Sequence, residues 1–141
     1  MFIDKTDNWD TSVQNQQVLN NKTISFSPSL IAGSVLDYTP VRDLHLIFST
    51  KYVGKQYIDN TQSNNRVLDA YLVQNASVLY TFNNRLFKEL TFQFMVNNLF
   101  NAMYETNAWV YKYIEGGSLR MMDGYFPQAG INYMFKIGIK F

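Results

Sequence analysis

The chain offers few groups for covalent chemistry. It has a single histidine, His45, and no cysteine. On an extended strand, Asp43 would share the face of His45 two residues away. A Ser-His-Asp arrangement also needs a placed nucleophile and an oxyanion hole, and no Gly-x-Ser-x-Gly elbow is present. The pairs Asp59/Asp69 and Glu105/Glu115 would act as acid and base only at a fixed separation, which nothing in their spacing imposes. Without cysteine, disulfide frameworks and thiolate zinc sites are excluded, and one imidazole leaves little for a histidine metal cluster. The sequence therefore predicts no catalytic centre, no metal and no cofactor.

The residues suited to non-covalent chemistry lie elsewhere. Trp109, Tyr111 and Tyr113 alternate with Val110 and Lys112, so an extended backbone puts the three rings on one face. Such faces stack on sugars, ring systems or catecholate-like groups. Arg120 would add a bidentate contact to an anionic ligand. The alternative is that the rings pack on neighbouring loops or simply continue a strand.

Composition sets the environment for this face. Aromatics make up 16% of the 141 residues and charged residues only 16%, against about 25% in an average soluble domain. Twelve Lys+Arg against eleven Asp+Glu give a net charge of +1, without the basic surface of a nucleic-acid binder. Residues 1–8 carry neither the basic nor the apolar region of a secretory signal. No apolar run approaches the roughly 18 to 20 residues of a membrane-spanning helix, but this test does not exclude spanning β-strands, whose hydropathy alternates.

Alternation is the dominant pattern, and the first twenty polar residues precede it as a loop. A strand is expected over 23–38, with Ile24, Phe26, Leu30, Ala32, Leu36 and Tyr38 on one face, and Asp37-Tyr38-Thr39-Pro40 forming a turn. A second, over 42–54, separates Leu44, Leu46, Phe48 and Tyr52 from Asp43, His45, Ser49 and Lys51. After a polar loop at 57–65, a third over 68–82 sets Leu72, Ala76, Val78, Tyr80 and Phe82 against Asp69, Asn75, Ser77 and Thr81. Asn83-Asn84-Arg85 makes a short connection. The fourth, over 86–100, sets Leu90, Phe92, Phe94 and Val96 against Glu89, Thr91, Gln93 and Asn97. A long loop at 102–124 leads to a last strand over 125–141, with Tyr125, Ile131, Tyr133, Phe135, Ile137, Ile139 and Phe141 opposite Asn132, Lys136, Gly138 and Lys140.

The expected fold is all-β and antiparallel. Strands of about 13 to 17 residues, joined by connections that alternate long and short, exceed the usual five or six of soluble sheets and match an outer-membrane barrel with short periplasmic turns and long extracellular loops. Tyr38, Tyr52, Tyr80, Phe82, Tyr125 and Phe141 suit aromatic girdles at its two interfaces. The competing architecture is a soluble β-sandwich, a carbohydrate-type binding module with the same apolar faces in its core.

Four ordered motifs narrow the choice. The stretches Lys51-Tyr52-Val53-Gly54-Lys55-Gln56-Tyr57-Ile58-Asp59-Asn60-Thr61, Leu68-Asp69-Ala70-Tyr71, Val96-Asn97-Asn98-Leu99-Phe100-Asn101-Ala102-Met103-Tyr104-Glu105 and Gly124-Tyr125-Phe126-Pro127-Gln128-Ala129-Gly130, followed by a terminal Phe141, closely resemble the C-terminal barrel strands of TonB-dependent outer-membrane receptors, in a form similar to those of Bacteroidota. The resemblance covers essentially the whole chain. It implies about five of the C-terminal strands of a plugged 22-strand barrel in the outer membrane. The plug domain and TonB box are not matched, so the resemblance makes residues 1–141 the tail of a receptor, with residues 1–21 and the long loops outside the cell. It also implies uptake of a scarce nutrient, a metal chelate, cobalamin or a glycan, energised through the TonB system. The partners implied are outer-membrane lipid, the rest of the barrel and plug, and the barrel-assembly machinery. That machinery would read a terminal signal carried here by Tyr133, Ile137, Ile139 and Phe141. Where the family has a glycine five residues before the terminal aromatic, this chain has Lys136, with Gly138 two residues later.

Overall fold

The computed structural model describes residues 23–60, 62–83 and 88–141. The expectations for residues 1–22, for Asn84-Arg85 and for the start of the fourth strand at Leu86 lie outside the described residues. The strands are β1 (Ile31–Val41), β2 (Leu44–Val53), β3 (Gln56–Tyr57), β4 (Val67–Leu68), β5 (Tyr71–Phe82), β6 (Glu89–Asn97), β7 (Glu105–Glu115), β8 (Ser118–Pro127) and β9 (Asn132–Lys140). No helix occurs among the described residues, and none is long and apolar enough to cross a membrane. The protein is all-β.

Five strands form one antiparallel sheet in the order β1-β2-β5-β6-β9, with β3-β4 and β7-β8 as two separate hairpin excursions. Because side chains alternate with period two, a one-residue slip would exchange the faces, so the register is strongly specified. The observed register aligns the apolar positions of all five strands. One cross-strand row reads Tyr38, Leu46, Val78, Phe94 and Phe135, and the next reads Leu36, Phe48, Ala76, Val96 and Tyr133. Diagonal ring contacts join Phe94 to Tyr133 at 6.2 Å and Phe92 to Phe135 at 6.4 Å between centroids.

The opposite face is the more polar one, although Val35, Ile47, Val73, Leu79, Met95 and Met134 also lie on it. Asp37, His45, Lys51, Glu89, Lys136 and Lys140 all point to it, and the apolar face of the same strands carries no charge. Hydrogen bonds run across the polar face from Asn75 to Ser49 at 3.3 Å and from Asn97 to Asn132 at 2.9 Å.

Neither face is covered as a sandwich would require. On the apolar face Leu36 is 65% exposed, Tyr133 65% and Phe135 61%. No second sheet among the described residues packs on it. The sheet is also open, ending at β1 on one side and β9 on the other, so the described residues do not form a closed barrel.

Several boundaries differ from those expected. The five strands are 9 to 12 residues long, not 13 to 17. The segment 23–30 is irregular and runs beside the loop after β2, held by Phe26 N–H to Tyr57 O and Gly54 N–H to Leu30 O, both 2.8 Å. Pro40 lies in β1 and not in a turn. Thr39 and Pro40 together face His45, since the register jumps between Tyr38↔Leu46 and Val41↔Leu44. This bulge accommodates a residue with no N–H to give the ladder. The turn is Arg42-Asp43, with Asp43 at φ 67°. Most of the 102–124 segment is not a loop. Residues 105–124 belong to the β7-β8 hairpin, closed by Gly116-Gly117 at φ 59° and 76°, the double left-handed turn that suits the twist of a two-residue hairpin. Tyr125 therefore belongs to β8, away from any rim of the sheet, and the last strand begins only at Asn132.

The alternation of connections holds. Arg42-Asp43 and the β5-β6 link lie at one end of the sheet, here the turn end. Residues 23–30, the segment between β2 and β5 and residues 98–131 gather at the other, the loop end. The compact core lies there, outside the five-stranded sheet. Ile58, fully buried Leu68 and Ala108 pack together against Val110 and Tyr125.

Candidate functional site

The β7-β8 hairpin is amphipathic, and its inner face explains how it is held. Ala108, Val110 and Tyr125 rest on Ile58 and Leu68 from the β3-β4 excursion. At the seam Arg66 Nε lies 3.0 Å from Asp59 Oδ2, with only 16% and 13% of the two side chains exposed. Arg66 Nη1 also donates to Met121 Sδ at 2.7 Å. Tyr125 sits in this seam, and its hydroxyl is held above the ordinary 10.0. Desolvation is the main cause, reinforced by the carboxylates of Asp123 and Glu105 and opposed by Arg66.

The outer face presents aromatic rings. Pairing Trp109↔Gly124, Tyr111↔Met122 and Tyr113↔Arg120 places these six on one side. The rings of Tyr111 and Tyr113 are 6.0 Å apart and 21° from parallel. The Trp109 indole lies against the backbone of Gly124, where an added Cβ would come within 2.5 Å of Nε1. Only glycine lets that ring lie down on the hairpin. Tyr111 is 61% exposed, and Met122 and Phe126 are about half exposed. The structure thus brings together all four residues singled out for ligand contact, and adds Met122 and Phe126, which the sequence reading passed over. Arg120 does not stand alone. Its Nε lies 3.7 Å from Glu115 Oε2, with both side chains largely in solvent.

The other candidates separate. His45 Nδ1 lies 3.0 and 3.1 Å from the two oxygens of Asp37 and 3.3 Å from Thr39 Oγ1, so its neighbour is the cross-strand Asp37 and not Asp43, which occupies the turn. Asp59 is engaged by Arg66 while Asp69 is exposed. Glu105 and Glu115 occupy opposite ends of β7, about 33 Å apart at strand rise. No group of three metal-ligating acids, histidines or cysteines occurs among the described residues. Tyr133, Ile137 and Ile139 lie on the apolar face of β9, and Phe141 follows it, 77% exposed.

Residues 98–102 and 128–131 fix the hairpin to the sheet. Asn98 is 3% exposed and takes φ 51°. Its carboxamide accepts from Ala102 N–H at 2.8 Å and donates to the carbonyls of Ala102 and Ala129. Its own N–H reaches Asn75 Oδ1 at 3.0 Å. Asn101, at φ 52°, accepts from Ile131 N–H at 3.0 Å, and the missing side chain of Gly130 leaves room for it. The Asn-Leu-Phe-Asn motif therefore closes the strap from which the hairpin rises. Tyr104 continues it, stacked on Tyr71 at 4.3 Å.

No protein-family model, curated protein or solved structure matches the chain.

Proposed function

We propose that the chain is the C-terminal part of the barrel of a TonB-dependent outer-membrane receptor, a non-enzymatic component of the energised uptake of a scarce nutrient such as a metal chelate, cobalamin or a glycan. The observation that carries this reading is the two-faced sheet: among the described residues, an uncharged apolar face left in solvent, every sheet charge on the opposite side, and two edges without a further strand. In lipid such a face needs no cover, and edges are satisfied by pairing with further strands. In water the same face would be an exposed apolar patch well beyond what monomers carry. Strands of 9 to 12 residues also suit a tilted span, which takes about 9 to 11.

On this reading the polar face lines the plugged interior, and β1 and β9 pair with the remaining strands. The loop end faces outward with the aromatic hairpin toward the ligand. Phe141 lies at the periplasmic end, where the assembly machinery would read it, and the TonB system acts through the N-terminal region of the receptor. Purification with and without detergent tests the proposal. The chain should aggregate in water and recover β-structure in micelles. A monodisperse, cooperatively folding monomer without detergent would overturn it, as would a chain that stays unfolded in micelles.

A further inference from the structure

We infer that the outer face of the β7-β8 hairpin is a stacking platform for a neutral oligosaccharide and not for an anionic chelate. This deepens the receptor reading and rests on it, because it names the ligand class for the outward-facing hairpin.

Three observations carry the inference. First, the rings are set for face contact. Trp109 lies down on Gly124 and is 43% exposed, and Tyr111, stacked beside Tyr113 at 6.0 Å, is 61% exposed, so indole and phenol surface is open to the C–H faces of sugar rings. Second, the platform is held before any ligand arrives. Its underside rests on the buried Ile58-Leu68-Ala108 cluster and the Asp59-Arg66 pair, which lowers the ordering cost of binding. Third, the charge is wrong for an anion. On the outer face the register leaves two charges, Arg120 and Glu115, which sit beside each other, while Lys112, Asp123 and Glu105 lie on the inner side with Val110 and Tyr125. A catecholate or carboxylate chelate would meet a face of zero net charge whose one guanidinium already has a carboxylate beside it. A polyhydroxylated neutral chain instead finds ring faces flanked by phenol, guanidinium and carboxylate groups able to bond its hydroxyls.

Trp9 and Trp109 are the two tryptophans, so Trp9→Phe leaves Trp109 as a sole fluorescent reporter. In the full chain folded in micelles, with β-structure verified by circular dichroism, short neutral gluco-, manno- and xylo-oligosaccharides are titrated against a ferric tris-catecholate. At least one oligosaccharide should shift Trp109 emission saturably, while the ferric chelate gives no saturable response. Tyr111→Ala should weaken the oligosaccharide response by up to about tenfold. Gly124→Ala, which removes no ligand-contacting atom but lifts the indole, should weaken it similarly. Saturation by the ferric chelate alone, no saturation by any oligosaccharide in the folded chain, or a response untouched by both substitutions would each overturn the inference. Failure to fold in micelles counts against the receptor reading instead.

Discussion

Phe92 and Gln93 occupy almost the same depth on opposite faces, so an arginine at each isolates the environment of the face. β6 has nine residues, which at about 3.4 Å per residue span roughly 27 Å along the strand. At a tilt of about 40° that is roughly 21 Å across, inside an apolar band of about 25 Å. Both residues are within one position of the strand centre. Phe92 pairs with Tyr80 and Ile137 on the apolar face. Phe92→Arg should therefore cost about 2 to 4 kcal/mol for the charge near mid-depth, plus about 0.5 to 1.5 kcal/mol for the lost ring contact with Phe135. Phe92→Ala measures the loss of the ring without the charge. Gln93 pairs with Leu79 and Lys136 on the polar face, so Gln93→Arg should cost below about 1 kcal/mol, mostly from facing Lys136 across the ladder. Reversible urea unfolding in micelles or bilayers, followed by circular dichroism, gives both values. Equal costs, or a larger cost for Gln93→Arg, would refute the assignment of faces.

Other perturbations bear on the loop end and the terminus. Asn98→Ala leaves two carbonyls and one N–H without their buried partner and places alanine at positive φ. It should cost about 2 to 4 kcal/mol, read as faster amide exchange of residues 98–102 in the micelle-folded chain. Tyr125 has a folded-state pKa above its unfolded 10.0, so its contribution is intact below pH 10 and is lost as pH rises through the folded value. Amide exchange in the hairpin should accelerate there, and Tyr125→Phe should remove that component; an unchanged profile would contradict the buried seam. Deleting Phe141 from a full-length receptor should lower the amount of folded protein in the outer membrane, counted by heat-modifiability on gels, while ligand affinity per folded molecule stays the same. Normal assembly would remove the proposed role of the terminus.

The sheet was legible because its information is local and periodic. Leu90, Phe92, Phe94 and Val96 against Glu89, Thr91, Gln93 and Asn97 define two faces from sequence alone, and the register of the five strands follows once those faces must align. The ends were less legible, because they depend on partners distant in sequence. Pro40 signals a turn, yet a single bulge opposite His45 absorbs it. The polar run containing Asp59 gives no sign that Arg66 partners it in a seam made with Met121. The hairpin carries a local signal, since Gly116-Gly117 between two alternating segments is a turn pair, yet the same glycines with Glu115 and Ser118 also suit a long loop. For the same reason Gly124 reads as a break before a strand, whereas it is the seat of the Trp109 ring. The Asn-Leu-Phe-Asn motif was noticeable without a physical reason, which appears only when Asn98 and Asn101 are seen bonding the backbone of residues 102 and 129–131.

The central claim is that even-numbered residues of β6 meet lipid and odd-numbered ones do not. Because the chain has no cysteine, single cysteines at positions 90 to 97 can each carry a nitroxide label in a lipid bilayer. The collision rate with dissolved oxygen, which concentrates in lipid, should peak at 90, 92, 94 and 96, and that with a water-soluble nickel chelate should be lowest there. A flat profile, or even-numbered positions open to the aqueous reagent, would contradict the account.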